Sequence, residues 1–299
     1  MRMIHLTPLL LLAVLGCSSE KEAATTDVWE PFAGALADTQ RRNLTSEITG
    51  RTYEISVALP ENYATSNKTY PVLYVVDANG RFGTVVETAQ VLQADSKINT
   101  VPELIIVGIG YPVGRFTNVF KLRDVDLTPT EDPRLLPDGS GGAPGFLDFI
   151  RRELIPLVEL EFRANPADRA LLGHSLGGLF SLYALLEGEG TFQRIIAASP
   201  SIGWDDRVTF KMESAFAENH DSLPANLYLS SGFLEDDEEW GESVSNVKEL
   251  VAILDARNYS GLQIKTAYFE DETHLSVIPA AISRGLRAIY SGSPVAESE

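Results

Sequence analysis

Thiols are almost absent from this 299-residue chain, in which Cys17 is the single cysteine. No disulfide can form within a monomer, so the fold has to be held by its core alone. Long apolar runs are lacking as well. The run Leu9–Leu15 is too short to span a bilayer stably. Positive charge is in deficit, with 24 Lys and Arg against 42 Asp and Glu and a formal net charge of −18. That sign argues against nucleic acid and against anionic lipid surfaces as partners. Histidine is scarce: His5, His174, His220 and His274 are all there is, which narrows any search for a general base. Internal repeats, low-complexity blocks and Gly/Pro/Ser-rich linkers are also missing, so nothing splits the chain into several domains. What remains is ordinary for a globular protein: 44% hydrophobic and 22% charged residues, in a length that suits one large α/β domain with a sizeable core.

The N-terminus reads as a targeting segment. Arg2 supplies a positive n-region, Leu9–Leu15 a short apolar h-region, and the run ends at Val14-Leu15-Gly16-Cys17, which resembles a bacterial lipobox. Residues 1–16 are expected to be a lipoprotein signal peptide, and Cys17 the acylated first residue of the mature chain. Ser18-Ser19-Glu20 opens a polar tether through residue 27, and residues 28–299 form a single domain. The expected location is exported and lipid-anchored to a bacterial membrane.

Further on, apolar runs alternate with helical patterns, the signature of a mostly parallel sheet with helices on both faces. Strands are expected at Tyr53–Leu59, Tyr70–Val76, Leu104–Ile109, Arg169–Leu172, Ile195–Ala198, Asn226–Ser230 and Ile264–Phe269. Helices are expected at 146–162, 176–186, 206–219, 244–256 and 275–290. A long irregular stretch, 111–145, is rich in Pro, Gly, Asp and Thr; segments of this kind are usually functional or mobile.

Gly173-His174-Ser175-Leu176-Gly177 is a G-x-S-x-G motif. A serine on a sharp turn between a strand and a helix projects its hydroxyl above the sheet, and the flanking glycines let neighbouring backbone come close. The pattern alone is weak. Here a short apolar strand precedes it and an apolar helix follows it, which is the context it requires, so Ser175 is the candidate nucleophile. Its base must be a histidine. His5 lies in the signal segment, His174 belongs to the turn itself, and His220 sits at a polar helix end in Glu218-Asn219-His220-Asp221. His274, after the last expected strand, fits the chain order Ser, acid, His. The acid is expected after the strand Asn226–Ser230, at Glu235, with Asp237 and Asp236 as alternatives. It would fix the His274 tautomer. The oxyanion hole is expected from the Leu176 and Asn79 backbone N–H groups, the second in the loop Asp77-Ala78-Asn79-Gly80.

Several segments then resemble the putative esterase family of α/β hydrolases, also called the esterase D family. Tyr70–Asp77 is similar to its strand leading to the oxyanion loop, with Ala78 where glycine is common. Val107–Pro112, Arg123 with Asp126–Thr130, Gly173–Phe180, Ser199–Ser201 with Trp204, and Gly232–Glu235 are similar to further family stretches, above all in the siderophore (enterochelin-type) esterase branch. The resemblance spans about residues 53–290. It implies the α/β-hydrolase fold and ester hydrolysis through an acyl-enzyme at Ser175, His274 and Glu235, without metal or cofactor. The partner implied is a small-molecule ester. The 111–145 segment would line or cap the pocket, with Tyr111, Arg123 and Trp204 as pocket residues. Arg123 would meet an anionic substrate group or else pair with Asp124 or Asp126. Acyl transfer to an alcohol on the same fold, and a non-catalytic ligand-binding surface lipoprotein, are the competing readings; nothing in the residues selects an oligomeric state.

Overall fold

A computed structural model describes Leu36 and residues 38–95, 97, 101–112, 119–136, 139–237 and 243–291. The expected signal segment, Cys17 and the tether through residue 27 lie outside the described residues.

Among the described residues, eight strands form one sheet in the order β1-β2-β4-β3-β5-β6-β7-β8. They are β1 (Thr39–Thr45), β2 (Thr52–Ala58), β3 (Tyr70–Val75), β4 (Ile105–Gly110), β5 (Ala164–His174), β6 (Arg194–Ala198), β7 (Ser222–Gly232) and β8 (Ser260–Phe269). β1 and β2 form an antiparallel hairpin, and β2 runs antiparallel to β4. From β4 through β8 every neighbouring pair is parallel. This is the mostly parallel α/β-hydrolase sheet. Alternation along each strand feeds two cores. Val72 and Tyr74 face one side with Leu171, Ile195 and Leu227, where α3 (Ala143–Phe149), α4 (Ile155–Glu161), α5 (Leu176–Glu187) and α7 (Ser243–Arg257) pack. Leu73 and Val75 face the other, against α1 (Ala78–Ala94) and α8 (Ile278–Tyr290). Two further α-helices among the described residues are α2 (Val119–Asp126) and α6 (Trp204–Ala217).

The expected elements are present with shifted ends, and three others come in addition. β1 has the sequence Thr-Gln-Arg-Arg-Asn-Leu-Thr, with no apolar alternation. It is an exposed edge strand held by register with β2, around a turn in which Ser46 Oγ accepts the N–H groups of Ile48 and Thr49. α1 begins where the loop Asp77–Gly80 was expected. Two early glycines and Val85-Val86 weaken its intrinsic propensity, but Ala78, Phe82, Val85, Ala89 and Leu92 recur at helical spacing and are all buried. α2 interrupts the stretch expected to be irregular. The expected helix 146–162 is a continuous helical run over Ala143–Glu161, whose middle turn, Ile150–Leu154, is a π-type turn between α3 and α4. β5 and β8 begin earlier than expected, because their first halves are polar: Asn165-Pro166-Ala167-Asp168 in one, Ser260-Gly261-Leu262-Gln263 in the other.

Candidate active site

In a parallel sheet, loops leaving the carboxyl ends of the strands gather along one edge, above all where the strand order reverses. Here the chain moves from β3 outward to β4 and then crosses to β5 on the other flank of β3. Asp77 follows β3, Ser175 follows β5, Ser199 follows β6, Glu235 follows β7 and His274 follows β8. One topology thus collects residues spread over some two hundred positions.

Ser175 occupies the turn between β5 and α5 with φ 63° and ψ −125°, a strained conformation for a residue bearing a Cβ. The turn is held from below: the Ser175 N–H donates to the Ala198 carbonyl at 3.0 Å, and the Ser201 N–H donates to the Ser175 carbonyl at 3.2 Å. A Cβ at Gly173 would overlap the Gly177 carbonyl oxygen, so only glycine fits there. Leu176 opens α5, and its N–H belongs to the first turn, where backbone donors have no partner within the helix.

His274 Nδ1 lies 2.9 Å from Glu235 Oε2. The other carboxylate oxygen, Oε1, accepts the Ser199 hydroxyl at 2.6 Å and the Gly232 N–H at 2.6 Å. Glu235 is only 3% exposed. Burial pushes its carboxyl up, but the hydrogen bonds from His274, Ser199 and Gly232 outweigh this and hold it below the usual glutamate value. An ionised carboxylate can only accept, so His274 Nδ1 carries the proton in this contact. The β7 end and the His274 loop meet closely, because Gly232 has no side chain to collide with the Glu272 carbonyl.

His174 was read from the sequence only as part of the turn. Its buried ring donates from Nε2 to the His274 carbonyl oxygen at 2.7 Å, and the two rings lie 4.6 Å apart. Burial, then the neighbouring His274 and Arg81, push its pKa well below the ordinary histidine value, so the ring is neutral. It positions the His274 backbone from beneath. Ser199 was likewise given no role toward Glu235. Each sits at the carboxyl end of a central strand, β5 or β6, but that position alone does not give the direction of the side chain.

The alternatives resolve as follows. His220 donates from Nδ1 to the Phe216 carbonyl at 2.9 Å and stacks on the Phe216 ring at the end of α6. Asp236 Oδ1 accepts the Val244 N–H at 2.8 Å and so caps α7. The Asp237 side chain lies outside the described residues.

Ser175, Leu176, Ser199, Glu235 and His274 border a cavity of about 480 Å³. Its far wall comes largely from the stretch expected to line or cap the pocket: Phe120, Arg123, Leu135 and Leu136. Trp204 completes that wall, and its indole N–H donates to the Thr130 carbonyl at 3.2 Å. Arg134 ties the same stretch down, binding Asp132 at 2.8 Å and Asp206 at 3.3 Å.

Three placements correct the sequence reading. Tyr111 is buried at 3% exposure; its hydroxyl donates to Asp126 at 3.1 Å and its ring packs on Tyr53, so it belongs to the core under the cavity. Arg123 reaches the cavity, but its carboxylate partner is Asp77, through two 2.8 Å hydrogen bonds from Nε and Nη2. The expected Asp124 is a second, longer partner at 3.9 Å, whereas Asp126 pairs with Arg51. Burial works against the Arg123 charge, yet Asp77 raises its pKa above the ordinary arginine value. Asn79 is in the first turn of α1, not in a loop. Its side chain clasps the Tyr111 backbone, Oδ1 accepting the N–H and Nδ2 donating to the carbonyl, each at 2.8 Å.

Known proteins resemble this chain along most of its length. The family model described as "Putative esterase" matches residues 46–269. The chain is 33% identical over 272 residues to the ferri-bacillibactin esterase BesA of Bacillus subtilis, covering 88% of this chain and 93% of that protein. It is 32% identical to the siderophore triacetylfusarinine C esterase of Aspergillus fumigatus, covering 83% and 92%. The crystal structure of the BES protein from Bacillus cereus superposes with a TM-score of 0.77 at 31% identity, over 89% of this chain and 98% of that one. The chain therefore belongs to the putative esterase family of α/β hydrolases and is a carboxylic ester hydrolase.

Proposed function

We propose that the protein hydrolyses its esters through an acyl-enzyme on Ser175, and that its substrates are of the siderophore type. The observation that carries the mechanism is the hydrogen bond between His274 Nδ1 and Glu235, in a cavity that Ser175 also borders. His274 Nε2 takes the Ser175 proton as Oγ attacks the ester carbonyl carbon. The resulting tetrahedral oxyanion is held by the Leu176 N–H and a second backbone donor in the first turn of α1, at Asn79. Collapse expels the alcohol, to which His274 returns the proton. Water, deprotonated by the same Nε2, then attacks the acyl-enzyme and releases the acid. Glu235 steadies the imidazolium in both halves.

Support for the substrate class comes from the relatives named above, both siderophore esterases that align along nearly their whole length. The test is hydrolysis of a catecholate trilactone, iron-free and iron-loaded, beside a p-nitrophenyl ester series. Cleavage of the trilactone by the parent and not by Ser175→Ala supports the reading. Cleavage of p-nitrophenyl esters alone leaves a general esterase and removes the siderophore.

We further propose that the chain is exported and anchored by lipid at Cys17, on the strength of Val14-Leu15-Gly16-Cys17 after an apolar run. Expression of the full chain in a lipoprotein-processing bacterium tests this. Incorporation of labelled palmitate that Cys17→Ser abolishes supports it, and a soluble, unlabelled parent refutes it.

A further inference from the structure

Trp204 walls the cavity, and the backbone that follows it is strained. Asp205, Asp206 and Arg207 have φ values of 45°, 50° and 62°, with ψ values of 62°, 45° and 45°. All three lie in the left-handed region, one after another, at the start of α6. That conformation crowds Cβ against the next carbonyl oxygen, and residues other than glycine visit it singly, not in runs. No glycine relieves this turn. Nor does the sequence ask for it, since Asp205 and Asp206 would suit the first turn of an ordinary right-handed helix. The surroundings must hold it there.

The holding group is Arg134. Its Nη1 reaches both carboxylate oxygens of Asp206 at 3.3 Å, and its Nη2 stands 3.5 Å from Asp205. From the other side Asp132 fixes the same guanidinium, accepting from Nε at 2.9 Å and from Nη2 at 2.8 Å. Arg207 adds an ion pair with Glu249 of α7. Exposed ion pairs are individually weak, but here one planar fork is shared by three carboxylates, and Asp132 is buried. Trp204, next to the clamped turn, packs with Leu179 and Val208 and against Leu136 and Leu176, the residue after the nucleophile. Arg134 itself does not border the cavity.

We propose that Arg134 is a positioning residue: by holding the left-handed turn it keeps the Trp204 indole in the cavity wall, and so limits the size of the group that fits beside Ser175. This inference rests on the hydrolase reading and concerns which esters the site admits.

The test reads the ratio of kcat/KM for a bulky ester to that for a compact one. One series, p-nitrophenyl acetate to p-nitrophenyl 4-phenylbutanoate, varies the acyl group; another, phenyl acetate to 2-naphthyl acetate, varies the alcohol. Arg134→Met is expected to raise the ratio about 10-fold in at least one series, mainly through KM of the bulky ester. Arg134→Lys keeps a charge for Asp132 but loses the fork, and is expected to fall between. Glycine takes up the left-handed turn without strain. Adding Asp206→Gly to Arg134→Met should therefore return the ratio toward the parental value, and adding Asp206→Ala should not. As single variants, Asp206→Gly should melt about 2–4 °C above Asp206→Ala. The reverse order belongs to a right-handed turn and overturns the proposal. So does an unchanged ratio in Arg134→Met, a loss shared equally by all esters, or a raised ratio that Asp206→Gly fails to restore. None of these results touches the hydrolase reading, which fails separately if the parent cleaves no ester of either series.

Discussion

Replacing Glu235 with glutamine changes one atom, and the structure dictates how the new amide must sit. Oε1 accepts two hydrogen bonds, from the Ser199 hydroxyl and the Gly232 N–H, both at 2.6 Å. An NH2 group in that position would face two donors, so the amide oxygen has to remain there. The NH2 group then points at His274 Nδ1, where the carboxylate oxygen had stood at 2.9 Å. To receive it, the imidazole must carry its proton on Nε2, and Nε2 can no longer take the Ser175 proton. The cost is a wrong tautomer as well as a lost charge. It is expected at roughly 10³- to 10⁴-fold in kcat. KM should change little, since Glu235 does not touch substrate. The assay is steady-state hydrolysis of p-nitrophenyl butyrate by parent and Glu235→Gln, with circular dichroism to verify folding. A folded variant that keeps more than a tenth of the parental kcat would refute the reasoning, because the amide would then have found an orientation the two donors should forbid.

The same carboxyl sets a pH signature. Its pKa is depressed in the folded state, so its contribution to stability is present in full above the unfolded-state value of about 4.3 and is lost as pH falls through the folded value; urea titrations between pH 7 and pH 3 should show a smaller acid loss in Glu235→Gln than in the parent. Arg123→Met leaves the nearly buried Asp77 carboxylate without its two hydrogen bonds, which should cost about 3–5 kcal/mol, or roughly 6–15 °C in Tm, and Asp77→Asn in the same chain should recover much of it in thermal scans. His174→Phe keeps an aromatic ring but cannot donate to the His274 carbonyl. It should lower kcat about 10-fold with KM nearly unchanged, as expected for a misplaced base, and parental kinetics would show that the loop holds itself.

The parts of this protein that could be read in sequence are those whose causes are local. The central strands are continuous apolar runs because they are buried on both faces, and the turn at Ser175 is announced by Gly173 and the apolar helix behind it. His274 followed from elimination among four histidines and from chain order. What escaped depends on tertiary partners. β1 carries no pattern of its own and exists through its pairing with β2. α1 overrides two glycines by burying a heptad-spaced face under β3 and β4, and that spacing was present in the sequence to be counted. Arg123 pairs with Asp77 across 46 residues, a contact that sequence proximity to Asp124 and Asp126 conceals. His174 and Ser199 hold His274 and Glu235 through bonds spanning 100 and 36 positions, distances over which side-chain direction cannot be read from a strand end alone.

The central claim is that Ser175 is the nucleophile of a working hydrolase, and covalent labelling tests it most directly. The parent, Ser175→Ala and His274→Ala would each be incubated with a fluorophosphonate that esterifies activated serines, then digested and analysed by mass spectrometry beside a p-nitrophenyl ester assay. The account predicts one adduct, on the peptide containing Ser175, with activity lost in step with labelling. It predicts no adduct in Ser175→Ala, little in His274→Ala, and a kcat lower by on the order of 10³-fold or more in both. An adduct on another serine, or ester hydrolysis that persists in Ser175→Ala at the parental rate, would contradict it.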